Sequence, residues 1–504
     1  MAQQGGGTRL RRAVIVGSGP NGLTAAAVLA RAGWDVAVFE KNATVGGAAR
    51  SHAGFGDGTI VDSGASAHPF GVASPIFREL ELERYGVQWL YAPYPLAHPL
   101  PERPAALLHR SLDATAADLG ADARAWQRIH GPVTRHIDAH LANLLGPLPR
   151  WPRHPLHLAA FAPRALPSAD FLARRAFTGE PAQALFLGSA AHAIAPLNRP
   201  FTAAFGTLFG ALGQSRGWPV ARGGTQSIVD ALVRVITAHG GRLYTNTAIT
   251  ERRELPPADA LLLNVTPRQA VRILGPDRVH ADAGMKPRTA RRLARWRHGV
   301  AVWKIDYLLG GPVPWRDERV ARATTVHVVG SPEELVRAEA QAVAGILPSR
   351  PFVLLSQQQA ADPSRTTGAA AGAHIISAYA HVPHGYEQRI DGEVARLIEA
   401  QIERFAPGFG DLILARDEYS PRRLETDNPN LVGGDIAGGA MTGLQSLLRP
   451  GLTLDPYRLS AGRAARVYLC SAATPPGAGV HGMAGAWAAR AAIADDARLS
   501  QGDV

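Results

Sequence analysis

The residues best placed to do chemistry together are glycines. Gly17-Ser18-Gly19-Pro20-Asn21-Gly22 has the spacing GxGxxG. Such a turn lets a pyrophosphate approach the backbone closely and meet the positive end of a helix. Glu40 stands 18 residues beyond Gly22, where a carboxylate can accept hydrogen bonds from ribose hydroxyls and would repel a 2′-phosphate. NADP is therefore disfavoured, and the fingerprint alone leaves NAD and FAD open.

The flanking pattern supplies the elements this chemistry needs. AVIV (13–16) is a buried-type strand, 23–32 an alanine-rich helix stopped at Gly33, and DVAVFE (35–40) a second strand. Strand, tight turn, helix and strand in that order predict a parallel α/β sheet. Similar character returns at 220–265, with a helix over 227–238, a strand near 242–245 and the buried-type ALLLNV (260–265). Near the end VYLCSA (467–472) reads as a strand, PPGAG as a turn and 480–493 as a small-residue helix. Between these stretches, 71–219 is rich in proline, arginine and aromatics, and 266–415 mixes strands with helices at 331–344 and 391–405. The mixture suggests an antiparallel sheet covered on one side. The expected architecture is α/β: a Rossmann-type FAD-binding domain from 9–70, 220–265 and 416–495, carrying an inserted substrate domain of mixed or antiparallel sheet with a helical cap from 71–219 and 266–415.

A second glycine pair, Val45-Gly46-Gly47-Ala48-Ala49-Arg50, follows the acidic strand end. The C-terminal segment Ser471-Ala-Ala-Thr-Pro-Pro-Gly-Ala-Gly-Val-His-Gly-Met483 adds a third glycine cluster. Its Gly477, Gly479 and Gly482 also match GxGxxG, but only 22 residues remain after Gly482, too few for a second dinucleotide unit. With these motifs the chain resembles the flavin amine oxidase superfamily, and in particular the phytoene desaturase-like, carotenoid ketolase-like branch. LHRSLDATAADLGAD (108–122), HPFGVASP (68–75) and NPNLVGGDIAGG (428–439) read like that branch's landmarks. The resemblance implies FAD as cofactor. It assigns Gly17, Gly19, Pro20, Asn21, Gly22, Glu40, Lys41, Gly46, Gly47, Ala48 and Arg50 to the phosphates and ribose, and the strand near Ile249 to the adenine. It places Ser471, Gly479, Val480, His481, Gly482 and Met483 at the isoalloxazine. His68 and His481 are then the polar side chains nearest the flavin, as proton donors or substrate partners or, equally, as structural groups. Ala478 and Ala484 stand where the family suggests bulkier or different residues, which bears on substrate rather than on flavin.

Several patterns point elsewhere on first sight. Gly213-Gln214-Ser215-Arg216-Gly217 matches the GxSxG nucleophile elbow but is followed by Trp218-Pro219 rather than a helix. His136 and His140 have metal-ligand spacing on a helix, yet no HExxH glutamate or third ligand accompanies them. They read as solvent-facing, and no metal is expected. Cys470 is the only cysteine, which excludes an intrachain disulfide, a CxxC pair and a thiolate cluster. Redox chemistry must then come from a bound cofactor.

The net charge of +11 comes from arginines spread along the chain, without a nucleic-acid-binding motif, so no nucleic-acid partner is expected. The absence of a signal-like start or a long apolar run makes a cytoplasmic location the default. The stretch 146–177 interleaves Trp151, Phe161, Phe171 and Phe177 with Arg150, Arg153, Arg164, Arg174 and Arg175, a surface that could also rest on an anionic membrane. The oligomeric state is left open. The sequence thus implies an FAD-dependent oxidoreductase, a desaturase or dehydrogenase taking a hydride from an apolar small molecule to form C=C or C=N. A redox-neutral isomerase, a ketolase-type enzyme, an amine oxidase and a non-catalytic flavoprotein partner are the alternatives.

Overall fold

In the computed structural model, residues 10–275, 285, 287–451, 453–459 and 466–500 are described. The strands of its two large sheets are, in chain order, β1 (Arg12–Val16), β2 (Asp35–Phe39), β3 (Tyr94–Leu100), β4 (Arg103–Leu108), β5 (Arg242–Tyr244), β6 (Ala260–Leu263), β7 (Ala301–Leu309), β8 (Ala323–Val328), β9 (Val353–Ser356), β10 (His374–Val382), β11 (Ile413–Tyr419) and β12 (Arg466–Leu469). The helices used below are α1 (Pro20–Arg31), α2 (Pro155–Ala165), α3 (Ala169–Ala176), α4 (Glu180–Ala191), α5 (Thr202–Ser215), α6 (Gln226–Ala238), α7 (Pro332–Val343), α8 (Glu393–Glu403) and α9 (Met483–Ser500).

The first sheet is parallel, in the order β12-β6-β1-β2-β5. Its central strand needs apolar residues on both faces, and RAVIV supplies them: Ala13, Val14, Ile15 and Val16 are all buried. Pro20 presets the first turn of α1. Small residues let α1 and α9 approach closely; a Cβ at Gly485 would lie 1.8 Å from the carbonyl oxygen of Asn21. This contact ties the C-terminal helix to the start of the first one, and Ala486, Ala489 and Ala492 share a core with Leu23, Leu29 and Leu232.

The second sheet runs β11-β7-β10-β9-β8-β3-β4. Most pairs are antiparallel, but β8 and β3 pair in parallel, so the sheet is mixed, and the β3–β4 hairpin joins it from within the proline-rich stretch. Neighbouring β3 residues point opposite ways. Ala97 faces a core with Val326, Ile376 and Ile398 of α8, while Leu96 faces one with Leu354, Leu185 of α4 and Leu335 of α7. The sheet is therefore covered on both faces, not on the single face its sequence pattern suggested, because helices α4 and α7 close the second side.

Two sequence patterns settle here. Ser215 of the GxSxG match ends helix α5 and donates to the Ala211 carbonyl at 2.7 Å, so there is no strand-to-helix elbow. His136 is exposed as expected, but His140 is buried against His157 and Phe161 at ring distances of 5.6 Å. His140 is thus not solvent-facing: its ring packs under α2. Among the described residues no group of three or more His, Cys, Asp or Glu could hold a metal, and no helix is long and apolar enough to cross a membrane.

A buried ionic cluster ties the two sheets together. Arg365, after β9, donates to Asp62 at 2.8 Å and to Asp362 at 3.1 Å. Asp62 also accepts from Ser51 Oγ at 2.6 Å and from the Thr225 N–H at 2.9 Å, and Asp362 accepts from the Gly223 N–H at 2.8 Å. Burial by itself would raise the Asp62 carboxyl, but Arg365 and the Ser51 and Thr225 bonds outweigh it and hold its pKa below the usual value. Arg365→Met should leave buried carboxylates without their cation and cost about 3–5 kcal/mol, read as a lower denaturant midpoint at pH 7. The depressed Asp62 pKa stabilises the wild type above roughly pH 4, and that contribution fades as pH falls through the lower folded value. An Arg365→Met variant as stable as wild type at pH 7 contradicts this assignment.

Candidate dinucleotide site

The glycine turn is built from beneath by β6 and from the side by β2. A Cβ at Gly22 would lie 2.1 Å from the Gly17 carbonyl oxygen, so the turn closes only without a side chain there. Asn264, the residue after β6, lies under it. With its amide oriented as the hydrogen-bond network requires, its side-chain oxygen accepts from the N–H groups of Gly19 and Gly22, each at 3.2 Å. Gly19 begins α1 without a side-chain cap. The Asn21 Oδ1 and Thr24 Oγ1 atoms in its first turns are buried and have no protein partner.

Glu40 is committed more fully than its sequence position suggests. Oε2 accepts from the Ser18 N–H at 3.0 Å and from Ser18 Oγ at 2.6 Å, and Oε1 accepts from the Asn42 N–H at 2.9 Å. Of roughly four acceptor positions on a carboxylate, three are filled by the protein, so Glu40 shapes the loop. The Thr247 N–H bonds to the Glu40 carbonyl at 2.7 Å, which fixes the segment leading to Ile249 beside the same strand end. The Ile249 side chain itself packs into the apolar cluster of Val14, Val16 and Leu261.

The second glycine pair meets the first. Gly46 N–H donates to the Ser18 carbonyl at 3.0 Å, and a Cβ at Gly47 would come within 3.1 Å of the Gly19 Cα. Arg50 is aimed by its own turn, Nε donating to the Gly47 carbonyl at 2.9 Å. Lys41 instead reaches the Thr426 carbonyl at 2.9 Å. Ala49, after Ala48, is fully buried, and Ala48 closes on Gly64.

The C-terminal motif arrives on the other side of α1. Ser471 follows β12 in a turn, its carbonyl accepting from Thr474, and the chain runs through Gly479, Val480 and His481 to Gly482, whose Cβ position lies 2.3 Å from Thr24 Oγ1. His481 Nδ1 accepts from the Met483 N–H at 3.0 Å, capping α9, and its other nitrogen faces the Gly477 and Ala478 carbonyls. Both nitrogens are therefore spoken for. His68 differs. Thr225 Oγ1 gives its proton to the Ala65 carbonyl at 2.6 Å, so at 2.9 Å it can only accept from His68 Nε2. Nδ1 of His68 is left a buried acceptor without a partner.

Gly71 lies between the two segments: a Cβ there would be 3.1 Å from His68 Cβ and 3.2 Å from both the Trp89 ring and the Val480 carbonyl oxygen. Phe70 completes the neighbourhood, edge-on to His481 at 6.2 Å and to Phe209 at 5.2 Å. Burial pulls His68 and His481 each down to about 4, so both rings are neutral at pH 7.

Sequence reasoning missed several supports. Asn264 is signalled only as a polar residue ending an apolar strand. Thr225, Asp62 and Arg365 have no local signature. Nor has the buried pair in β7, where Lys304 bonds both oxygens of Asp306, which also accepts from Ser377 at 2.7 Å. Lys304 and Asp306 thus form a buried ion pair within one strand.

With this geometry in view, likeness to known proteins can be placed. The family described as an NAD(P)-binding Rossmann-like domain matches residues 15–80. The chain is 26% identical over 586 aligned positions to pyridine nucleotide-disulfide oxidoreductase domain-containing protein 2 of Mus musculus, covering 98% of this chain and 96% of that protein. Among solved structures, an oxidoreductase from Methanosarcina mazei aligns with a TM-score of 0.60 at 15% identity, covering 96% of this chain and 100% of that one. Cyclohexylamine oxidase from Brevibacterium oxydans aligns at 0.57 and 12% identity, covering 97% and 99%. The chain shares the fold of these oxidoreductases over nearly its whole length.

The neutral histidines make a pH prediction. Burial holds His68, His98, His130 and His481 near 4 and His192 near 3, while an unfolded histidine titrates at about 6.5. Below that pH the unfolded chain binds protons that the folded chain excludes, so stability is full above it and falls as pH drops toward 4, by up to about 1.4 kcal/mol per pH unit per histidine. The urea midpoint should be flat from pH 7 to 8 and fall steeply below 6. A midpoint unchanged down to pH 5 would mean these rings are not neutral in the fold.

Proposed function

We propose that this chain is an FAD-dependent oxidoreductase of the phytoene desaturase-like kind, a desaturase or dehydrogenase that removes a hydride from a largely apolar substrate to leave C=C or C=N. The observation that carries the reading is convergence: the first turns of α1 are met by Gly47 on one side and by Gly482 and Gly485 on the other, with Glu40 at the far end. The fit is that of a dinucleotide laid along one groove, with side-chain-free backbone where phosphates approach the start of α1. When bound, FAD supplies the hydride acceptor. The chain's own residues orient, enclose and exclude water.

The wall near His68 supports an apolar substrate. Its rings are Phe70, Trp89 and Phe209, its histidines are neutral, and its nearest carboxylate, Asp62, is already paired with Arg365. Among the described residues there, no free carboxylate stands ready for a protonated amine. That favours desaturation over amine oxidation, the reading the fold likeness to cyclohexylamine oxidase would otherwise suggest. His68 Nδ1 can accept one hydrogen bond from substrate, but a ring with its pKa near 4 is a poor base at neutral pH.

Anaerobic bleaching of the bound flavin tests this. Unsaturated apolar compounds such as polyenes should bleach it and simple amines should not. His68→Ala and His481→Ala, each retaining FAD, should slow the bleaching by no more than about a hundredfold. Bleaching by amines with peroxide release in air, or a loss of about ten-thousandfold in either variant, would move the assignment to amine oxidation or to acid–base isomerisation. Separately, Glu40→Ala should weaken FAD by about 2–4 kcal/mol, from the lost charge-assisted bonds and the loosened Ser18 turn. Equilibrium dialysis of FAD measures it, and an unchanged Kd means Glu40 does not face the cofactor.

A further inference from the structure

One face of the second sheet carries a row of side chains that includes several polar ones. Lys304 of β7 pairs with Tyr379 of β10, Tyr379 with Leu354 of β9, and Leu354 with His327 of β8, so these stand side by side on one face. Ser377, two residues before Tyr379, shares that face. Gln358 joins it to the segment that carries His68, donating to Ser66 Oγ at 3.0 Å and to Ser377 Oγ at 3.4 Å.

His192, the residue after α4, lies over the His327 end of the row. Its ring is 5.2 Å from that of His327 and stacks on Phe209 at 4.6 Å, and Phe209 meets Phe70, which meets His481. Its neighbours Trp218 and His327 are buried, and burial lowers the His192 pKa to about 3. The ring is nonetheless only half-buried. A ring so fully desolvated that keeps accessible surface borders an internal hollow. Tyr379 is in the same condition: burial raises its phenol, its ring is half-buried, and its hydroxyl has no hydrogen-bond partner among the described residues.

The surrounding bonds fix which proton His192 presents. His98 Nε2 donates to the Gly330 carbonyl at 3.0 Å, which leaves its Nδ1 bare. That nitrogen and Nδ1 of His327 both face Gly188, whose Cβ position lies 3.1 Å and 2.4 Å from them, and neither has a protein partner. A proton on His327 Nδ1 would run into the α-hydrogen of Gly188, whereas a lone pair receives that hydrogen. His327 is therefore protonated at Nε2 and donates to His192 Nε2 at 3.1 Å. The proton of neutral His192 then stands on Nδ1, which bonds to none of the described residues. Nearby charges are matched within the protein, Lys304 with Asp306 and Glu339 with His381, so neither an acid nor an amine finds a free counter-charge among these residues.

We propose that the Nδ1–H of His192 and the Tyr379 hydroxyl bind a carbonyl oxygen of the substrate, which is then an apolar ketone rather than a plain hydrocarbon. A carbonyl accepts both bonds and brings no proton of its own to place. The proposal rests on the apolar-substrate reading above and adds the group that orients the molecule.

Equilibrium dialysis of the FAD-loaded full chain against 2-decalone, 2-decalol and decalin, which share one carbon skeleton, tests it. Tyr379→Phe and His192→Phe should each lower the ratio of decalone to decalin affinity about three- to tenfold, one hydrogen bond's worth, with decalin binding unchanged. His192→Asn, which keeps a donor close to the Nδ1 position, should hold the ratio within about threefold of wild type. Tyr379→Phe removes only a hydroxyl without a protein partner, so melting temperature and flavin absorbance should stay the same, and it keeps the test decisive if His192→Phe does not fold. In histidine-labelled protein, nitrogen NMR should find His192 protonated at Nδ1. A ratio unchanged by Tyr379→Phe or by a folded His192→Phe overturns the proposal. So does a proton on His192 Nε2, a wild type that binds no decalone, or one that binds decalol more tightly than decalone. The ratio is read from binding alone: if it falls as expected while no apolar compound bleaches the flavin, the desaturase reading fails and the carbonyl site stands, and the converse overturns the carbonyl site alone.

Discussion

A carboxylate taken out of water must find donors, and Asp62 finds them on three parts of the chain that lie far apart in sequence. Ser51 reaches it from the adjacent strand, the Thr225 N–H from the turn before α6, and Arg365 from the segment that follows β9 of the second sheet. The cost of leaving any of these bonds unmade in the interior holds the second sheet to the first. Thr225 then passes the constraint on, since its hydroxyl, already donating to Ala65, receives the proton of His68 and so decides which nitrogen of that ring faces inward. The orientation of His68, whose Nδ1 has no partner, thus follows from the ion pair of Asp62 and Arg365.

From there the site is built mainly of neutral groups. The histidines are uncharged because burial makes the imidazolium costly, the Lys304 charge is cancelled within β7, and Asp62 is cancelled by Arg365. Fixed charge stands instead at the glycine turn, which Glu40 braces through Ser18. A division of this kind suits a reaction in which the protein holds a cofactor firmly at one end and orients an apolar molecule in a dry space at the other.

The parts legible in the sequence are those set by local geometry. GxGxxG after a strand can close only as the observed turn, the Gly46-Gly47 pair stands where a second close approach needs it, and the small residues of 482–492 foreshadow a helix packed tightly on α1. What escaped notice depends on distant partners. Asn264 under the glycine turn, Arg365 on Asp62 and Thr225 on His68 join residues more than a hundred positions apart, and no spacing announces them. The second sheet was read as covered on one face because α4 and α7 reach its other face from opposite sides of the 220–265 segment. His140 was read as exposed because its burial depends on α2 folding back over it, and the GxSxG match lost its meaning once α5 absorbed it.

The most direct test of the account is the cofactor content of the purified protein. Heat or acid should release FAD, identified by chromatography, at about one per chain, from protein whose visible spectrum is that of a bound flavin. Added FAD should raise the melting temperature of any flavin-depleted fraction. Protein that releases no FAD, does not bind it and is not stabilised by it would contradict the claim on which the rest stands, that Gly17–Gly22, Gly46–Gly47 and Gly479–Gly482 form one flavin site.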